Sequence, residues 1–567
     1  LKNNQRMALL SGILASAIAA TGCSDGGNNA ASAEPSGKAT GSAATSGQSS
    51  ATTGNGDPFG KYDPPIELHI ARAVDQAWTY PQGDSIDDNV WYREYEKLLG
   101  VKIVHDWTAL TGEYNRKLNV SIASGSLPEV FSVSASQLKQ LADAGQLEDL
   151  TDVYEKYASD HTKKLQAGDG GAALASATFN GKLLAIPVVN APFFESNLLW
   201  VRTDWLEKLN LSEPKALDDV FKISEAFTKQ DPDGNGKDDT YGLAVNNYLY
   251  GPITSITGLS NAYHAYPQTW LKDVSGKVVY GSTQPEMKQT LAKLQEMYKA
   301  GQLDREFGVK DSNKVAEDIA AGKFGMAFGA FWNPAVLVDA VRKNPGMEWK
   351  SYAVSAVDGA LVKANVGFSA SGYTVVRKGA KHPEAVVKML NLFEELVHGS
   401  RRDEGQFITV VENGNSINTS RLAVVQSGVS NEGAIDSIDL LRQAVNNEDV
   451  SILKDAVTAT DFYQPTVDYR KDKKIENWTM AHQFQGLEVL LDNYTGDRLL
   501  MTAFGGQTPT MTEKWATLDK LEKEIFTKIV MGAASVDEFD TFVADWNKLG
   551  GADILKEINE WLDSQKG

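Results

Sequence analysis

The run Asp231-Pro232-Asp233-Gly234-Asn235-Gly236-Lys237-Asp238-Asp239 places oxygen-bearing side chains at alternate positions, with glycine sixth in line. Alternation of this kind aims carboxylates and amides at one point, and the sixth-position glycine permits the sharp turn of a calcium loop. Asp231, Asp233 and Asn235 are the candidate side-chain ligands, Lys237 offers its backbone carbonyl, and Asp239 adds a further carboxylate. The twelfth position is Gly242 rather than the bidentate glutamate of an EF-hand. The expected ion is therefore a structural staple between a helix over residues 217–229 and Tyr241, not a sensor or catalyst. A metal-free Asp/Gly turn is the plainer alternative.

Catalytic signatures are thin. No GxSxG, HExxH or Walker A stretch occurs, and the seven histidines are scattered without ligand spacing. The single cysteine, Cys23, follows a basic start (Lys2, Arg6), an apolar run over residues 7–20 and the small residues Thr21-Gly22. That order reads as a secretory signal, too short to span a bilayer, with Cys23 placed for lipidation. Residues 24–57 are almost entirely Ser, Gly, Ala, Thr and Asn, a composition that cannot bury enough apolar surface to order itself. The expected arrangement is a signal over 1–22, then a lipidated Cys23 and flexible linker over 23–62. Its place is the extracellular face of the cell membrane, held through the lipid alone. With the thiol acylated, disulfides and cysteine nucleophiles are excluded.

The chain has 567 residues and a net charge of −19, from 55 basic and 74 acidic side chains. That balance argues against nucleic acid and other polyanions as partners. The ~500 residues beyond the linker exceed one hydrophobic core and fit two domains. Strand, helix and strand alternate from the start: strands near 66–70, 101–104 and 128–133, helices near 88–99, 114–123 and 137–144. This spacing predicts right-handed crossover units and a parallel sheet, whose ligands bind at the carboxyl ends of the strands.

Several stretches carry a family resemblance. They are Ile122-Ala123-Ser124-Gly125-Ser126-Leu127-Pro128-Glu129-Val130, Asn180-Gly181-Lys182-Leu183-Leu184-Ala185-Ile186-Pro187, Arg202-Thr203-Asp204-Trp205-Leu206-Glu207-Lys208-Leu209, and Gly322-Lys323-Phe324-Gly325-Met326 leading to Trp332. The ending Trp546-Asn547-Lys548-Leu549-Gly550-Gly551 with Asn559-Glu560-Trp561 is equally typical. In this order they resemble the extracellular solute-binding lipoproteins of carbohydrate ABC importers, especially the large Gram-positive subgroup related to alginate-oligosaccharide-binding proteins. The calcium loop belongs to the same subgroup, though Thr240 stands where relatives often carry glutamate.

The resemblance implies an α/β, two-lobed periplasmic-binding-protein-like fold (type II), each lobe a sheet flanked by helices and hinged by crossing strands. Lobe 1 is expected over 63–190 with 365–435 returning to it, lobe 2 over 191–364 with 436–567 returning. The crossings are expected near 187–197 and 366–373. The implied function is capture of an oligosaccharide between the lobes by a monomeric, non-enzymatic protein that delivers it to an ABC permease. A cell-surface polysaccharide hydrolase or lyase is the runner-up, since two carboxylates suffice for glycosidase chemistry.

A sugar offers an apolar ring face to aromatics and hydroxyls to carboxylates and amides. Among the twelve tryptophans, Trp332, Trp78, Trp107 and Trp478 are the candidate platforms, with Tyr373 and Glu195 beside the expected crossings. Trp91, Trp205, Trp515, Trp546 and Trp561 lie in helical patterns and read as core, and Trp270, before a hairpin, reads as structural.

Overall fold

Crossover units do open the chain. In the computed structural model, which describes residues 56–76, 78–412, 415–456 and 458–564, β1 (Ile66–Val74), β2 (Val101–Leu110), β3 (Val130–Val133) and β4 (Ile186–Val189) come first. Then come β5 (Leu198–Arg202), β6 (Tyr241–Ala244), β7 (Phe324–Gly329), β8 (Trp349–Tyr352), β9 (Ala364–Val366), β10 (Ala370–Val376) and β11 (Leu499–Met501), shorter ribbons aside. Cys23, the signal and most of the linker lie outside the described residues.

The local rules are visible at the joints. Asn89 caps the helix Val90–Glu94, its side chain accepting from the Tyr92 amide. Gly100 ends that helical run at φ 67° and packs so tightly on Tyr62 that a Cβ would lie 2.4 Å from the Tyr62 carbonyl oxygen. Only glycine satisfies both conditions at once. Ser134 and Gln137 form a capping box at the head of the helix Ala135–Asp143.

The first sheet has the order β2-β1-β3-β10-β4. β1 runs parallel to β2 and β3, while β10 is antiparallel to both β3 and β4. The second sheet has the order β8-β5-β7-β6, with β7 parallel to β6 and antiparallel to β5. Each sheet has its own hydrophobic core. Leu68, Ile70, Trp91, Phe131, Val375 and Leu390 anchor one; Trp200, Trp205, Phe227, Met326, Trp349 and Phe526 anchor the other. Two cores and two sheets make two lobes.

The chain passes between them three times. β4 leaves the first sheet and β5 enters the second; β9 lies with β11, and β10 returns to the first sheet; residues 426–430 cross back. These segments are laced together. The Asn190 amide donates to the Ser369 carbonyl at 2.8 Å, and the Gly428 amide to the Val189 carbonyl at 2.7 Å. Ser427 Oγ accepts from Gln166 Nε2 at 2.8 Å and from the Val189 amide at 3.3 Å.

Candidate functional site

At the first crossing the turn Pro192–Glu195 delivers Glu195 toward the second lobe. Trp332 arrives from the other direction, between the end of β7 and the helix Pro334–Lys343. Its indole interacts with the Glu195 carboxylate, and Gln483 Nε2 donates to its backbone carbonyl at 3.3 Å. Burial pushes the Glu195 carboxyl above its ordinary value, and the contact with Trp332 offsets part of that. Two residues chosen from sequence are thus one unit.

Glu195 lines a cleft of about 550 Å³. The wall opposite is aromatic: Trp270 and Trp515 stand with ring centroids 5.6 Å apart. Asn197, Gln268, Thr269 and Asn365 supply polar groups. Through residues 504–507 this cleft adjoins a second cavity of about 290 Å³, where the first lobe's Ser176 and Tyr373 face Glu557 and Trp561. Tyr373 is 2 % exposed, and its hydroxyl lies 2.8 Å from Ser176 Oγ, so only the edge of the residue reaches the cavity. A further cavity of about 600 Å³ touches the same crossings at Asn190, Ser371 and Gln426. The larger cleft is lined by the second lobe and the crossings, the smaller by both lobes, and apolar walls with a few fixed polar groups in such a place describe a small-molecule site.

Beneath the aromatic wall, Glu522 is fully buried and accepts from Tyr250 at 2.5 Å, Tyr280 at 2.9 Å and Ser282 at 2.8 Å. Burial pushes its carboxyl up to about 7. Tyr280 packs tilted against Trp270 with centroids 4.8 Å apart, so the carboxyl braces the ring that the cleft exposes.

The remaining expectations divide. Trp107 does not follow a strand but lies within β2, which bulges at Asp106 and continues to Leu110. Lys117 Nζ sits 4.8 Å from its ring centroid, so one face is already occupied by a cation. Trp78 is half-buried beside Arg72 in a pocket of the first lobe. Trp478 is a correction. It belongs to the helix Ile475–Asn493, is 2 % exposed and stacks on His482 at 4.2 Å, which leaves no face for a ligand. The polar residues around it form the solvent side of that helix. Trp270, Trp515 and Trp561, read as structural, instead line the cavities. Helical spacing shows that a residue faces inward, without showing that the interior is a cleft.

The acidic loop is ordered by its own amides. Asp231 (φ 46°) accepts from the Gly234, Asn235 and Gly236 amides, each at 3.0 Å. Asn235 Nδ2 donates to Asp233 at 2.7 Å and to Asp239 at 3.1 Å, so an amide nitrogen bridges two carboxylates. Lys237 donates its amide to Asn235 Oδ1 at 2.8 Å. Among the described residues no cluster of three or more His, Cys, Asp or Glu is drawn together as a metal site. The donor set is nonetheless all oxygen once the Asn235 amide turns over, and a hard divalent cation suits it. Thr240 is not available: it is buried, and its hydroxyl donates to the Phe227 carbonyl at 2.8 Å.

The sequence matches the family described as bacterial extracellular solute-binding protein over residues 77–394. The chain belongs to that family. Two Bacillus subtilis relatives of this solute-binding protein are lipoprotein LipO, 25 % identical across 83 % of this chain and 88 % of its own, and the polygalacturonan/rhamnogalacturonan-binding protein YtcQ, 24 % identical across 84 % and 88 %. Its fold is shared by the Streptococcus pneumoniae substrate-binding protein FusA, solved with kestose (TM-score 0.58, 17 % identity) and, as an EF-hand mutant, with fructo-nystose (TM-score 0.56). Each alignment covers 88 % of this chain and 99 % of FusA.

Proposed function

We propose that this solute-binding protein captures an oligosaccharide between its lobes and hands it to an ABC permease. The observation that carries this reading is Glu195 at the crossing, with Trp332 against its carboxylate and Trp270 and Trp515 walling the cleft it lines. A ring face for stacking and a carboxylate for hydroxyls are what a sugar needs. The names of YtcQ and FusA, a polysaccharide binder and a fructooligosaccharide transporter component, favour the same ligand class. Lobe 1, expected over 63–190 and 365–435, then takes its second stretch from about 370 to 425, lobe 2 takes 191–366 and the chain after the 426–430 crossing, and a ligand touching both stabilises the closed arrangement over the open one.

In this reading the protein is a monomer, tethered at the outer membrane face through lipidated Cys23. Asp231, Asp233, Asn235, Asp239 and the Lys237 carbonyl hold a structural calcium ion that fastens the loop after the helix Leu217–Lys229. Membership of a binding family favours capture without turnover over hydrolysis or elimination.

The test is a calcium-buffered thermal-shift screen against plant and bacterial oligosaccharides, followed by product analysis. Ligand at 100 times its Kd adds about 2.7 kcal/mol of stability. A sustained shift with intact sugar supports capture; a shift that decays as reducing ends or unsaturated products appear supports the enzyme.

A further inference from the structure

The first lobe holds a buried guanidinium with no carboxylate. Arg72, on β1, is 8 % exposed. Its Nη2 donates to the Arg421 carbonyl at 2.6 Å and its Nη1 to the Tyr92 hydroxyl at 3.3 Å, and no acidic side chain among the described residues pairs with it. The Asp87 carboxylate stands three hydrogen bonds away, beyond Tyr92 and His105: it meets His105 Nδ1 at 2.7 Å, and His105 Nε2 meets Tyr92 at 2.9 Å. Arg202, the other buried arginine with a ring beneath it, behaves oppositely, gripped by Asp204 through Nε at 2.7 Å and Nη2 at 2.5 Å. Taking a charge out of water without an anion is costly. Arg72 bears that cost beside an open pocket.

The pocket has a volume of about 210 Å³. Arg72 and Trp78 form one wall, with the guanidinium carbon 5.6 Å from the Trp78 ring centroid; Ser132, Thr374 and Gln426 supply polar lining. Val188 and Gln426 are shared with the 600 Å³ cavity at the crossings, so the pocket opens beside the space between the lobes. It lies below the roughly 300 Å³ at which sites for whole drug-sized ligands begin, which suits one ring or one branch of a longer ligand.

We infer that this pocket is a subsite for an acidic sugar residue, a uronate whose carboxylate meets Arg72 while its ring packs against Trp78. An arginine fork recognises a carboxylate with paired hydrogen bonds, which a lysine does not reproduce. The inference rests on the oligosaccharide reading and narrows it: the cargo carries carboxylates although the protein itself is strongly acidic. A single buried cation then selects charged cargo against an otherwise repelling surface.

The test is calorimetric titration of the full protein with uronate trisaccharides of the galacturonate, glucuronate and mannuronate series, each paired with its carboxyl-reduced neutral counterpart. The expected result is a preference for one acid over its neutral pair by roughly ten- to a hundredfold. Arg72→Gln removes that preference, Arg72→Lys keeps only part of it, and melting curves verify that both variants fold. Should Arg72→Gln prove unfolded, loss of preference in Arg72→Lys alone carries the same meaning. Equal affinity for acid and neutral sugars, or an acid preference untouched in both variants, overturns the subsite and leaves oligosaccharide capture standing. No binding of either class overturns both.

Discussion

The Trp332 indole and the Glu195 carboxylate interact where the chain first changes lobe, and that contact lowers the carboxyl against the rise that burial imposes. Glu195 belongs to the turn Pro192–Glu195, through which the chain leaves the first sheet for the second. If Trp332 is the sugar platform proposed above, its orientation follows that turn. Trp332→Ala removes both the platform and the donor, and sugar affinity should fall by about 2 kcal/mol, roughly thirtyfold in Kd. Trp332→Phe restores the ring without the indole donor and should recover part of the loss. Titration of both variants with the best ligand checks the order; equal loss in both would sink stacking as the cause.

Calcium should raise the melting temperature and chelation should lower it. Asp231 organises the loop through three amides, so Asp231→Ala should abolish the calcium response while leaving sugar affinity close to wild type in excess calcium. A melting curve indifferent to calcium and chelator in the wild-type protein would remove the ion from the account.

Stability should decline as pH rises through neutrality. The buried Glu522 carboxyl is raised to about 7 and the buried Glu394 carboxyl to about 8, chiefly because burial disfavours their charged forms. Between the ordinary carboxylate range and those values the native state holds protons that the unfolded chain has released. The contribution is therefore complete below about pH 4.5 and is lost as pH climbs through 7 to 8. Melting temperatures from pH 5 to 8.5 should fall, and Glu522→Gln should flatten the fall. A rise over that interval would show that both carboxylates are ionised in place.

Trp478→Ala should cost stability and spare recognition. Its ring is buried between helix and core, and truncating such a side chain destabilises by about 3–5 kcal/mol. The folded fraction should bind sugar with unchanged Kd. A selective loss of affinity would return Trp478 to the cleft.

The crossover units, the glycine stops and the Asp/Gly loop were legible because each rests on local chemistry: period, φ angle, ligand spacing. The positions of Trp332 and Glu195 were also legible, one where a strand ends and the other where the chain changes lobe, though a role in sugar binding is not a matter of local pattern. Trp478 misled because its polar neighbours face solvent from a helix whose other side is buried, a pattern shared with loops. Trp270 and Trp515 were missed for the reverse reason, since cleft walls and cores use the same residues at the same spacing. What separates them is which distant segment comes to face them, here residues 504–507, and no local pattern encodes that.

β10 lies between β3 and β4 in the first sheet, yet the chain builds β5 through β9 before reaching it. Until residues 370–376 emerge, a nascent chain therefore carries two unmatched strand edges side by side. Exposed edges of that kind invite wrong pairing and proteolysis. A product cut short before β10 has neither a closed first lobe nor a second crossing, and its unfinished state is displayed on its surface. Placing the locking strand late means that only a chain extended past residue 376 can close the first sheet.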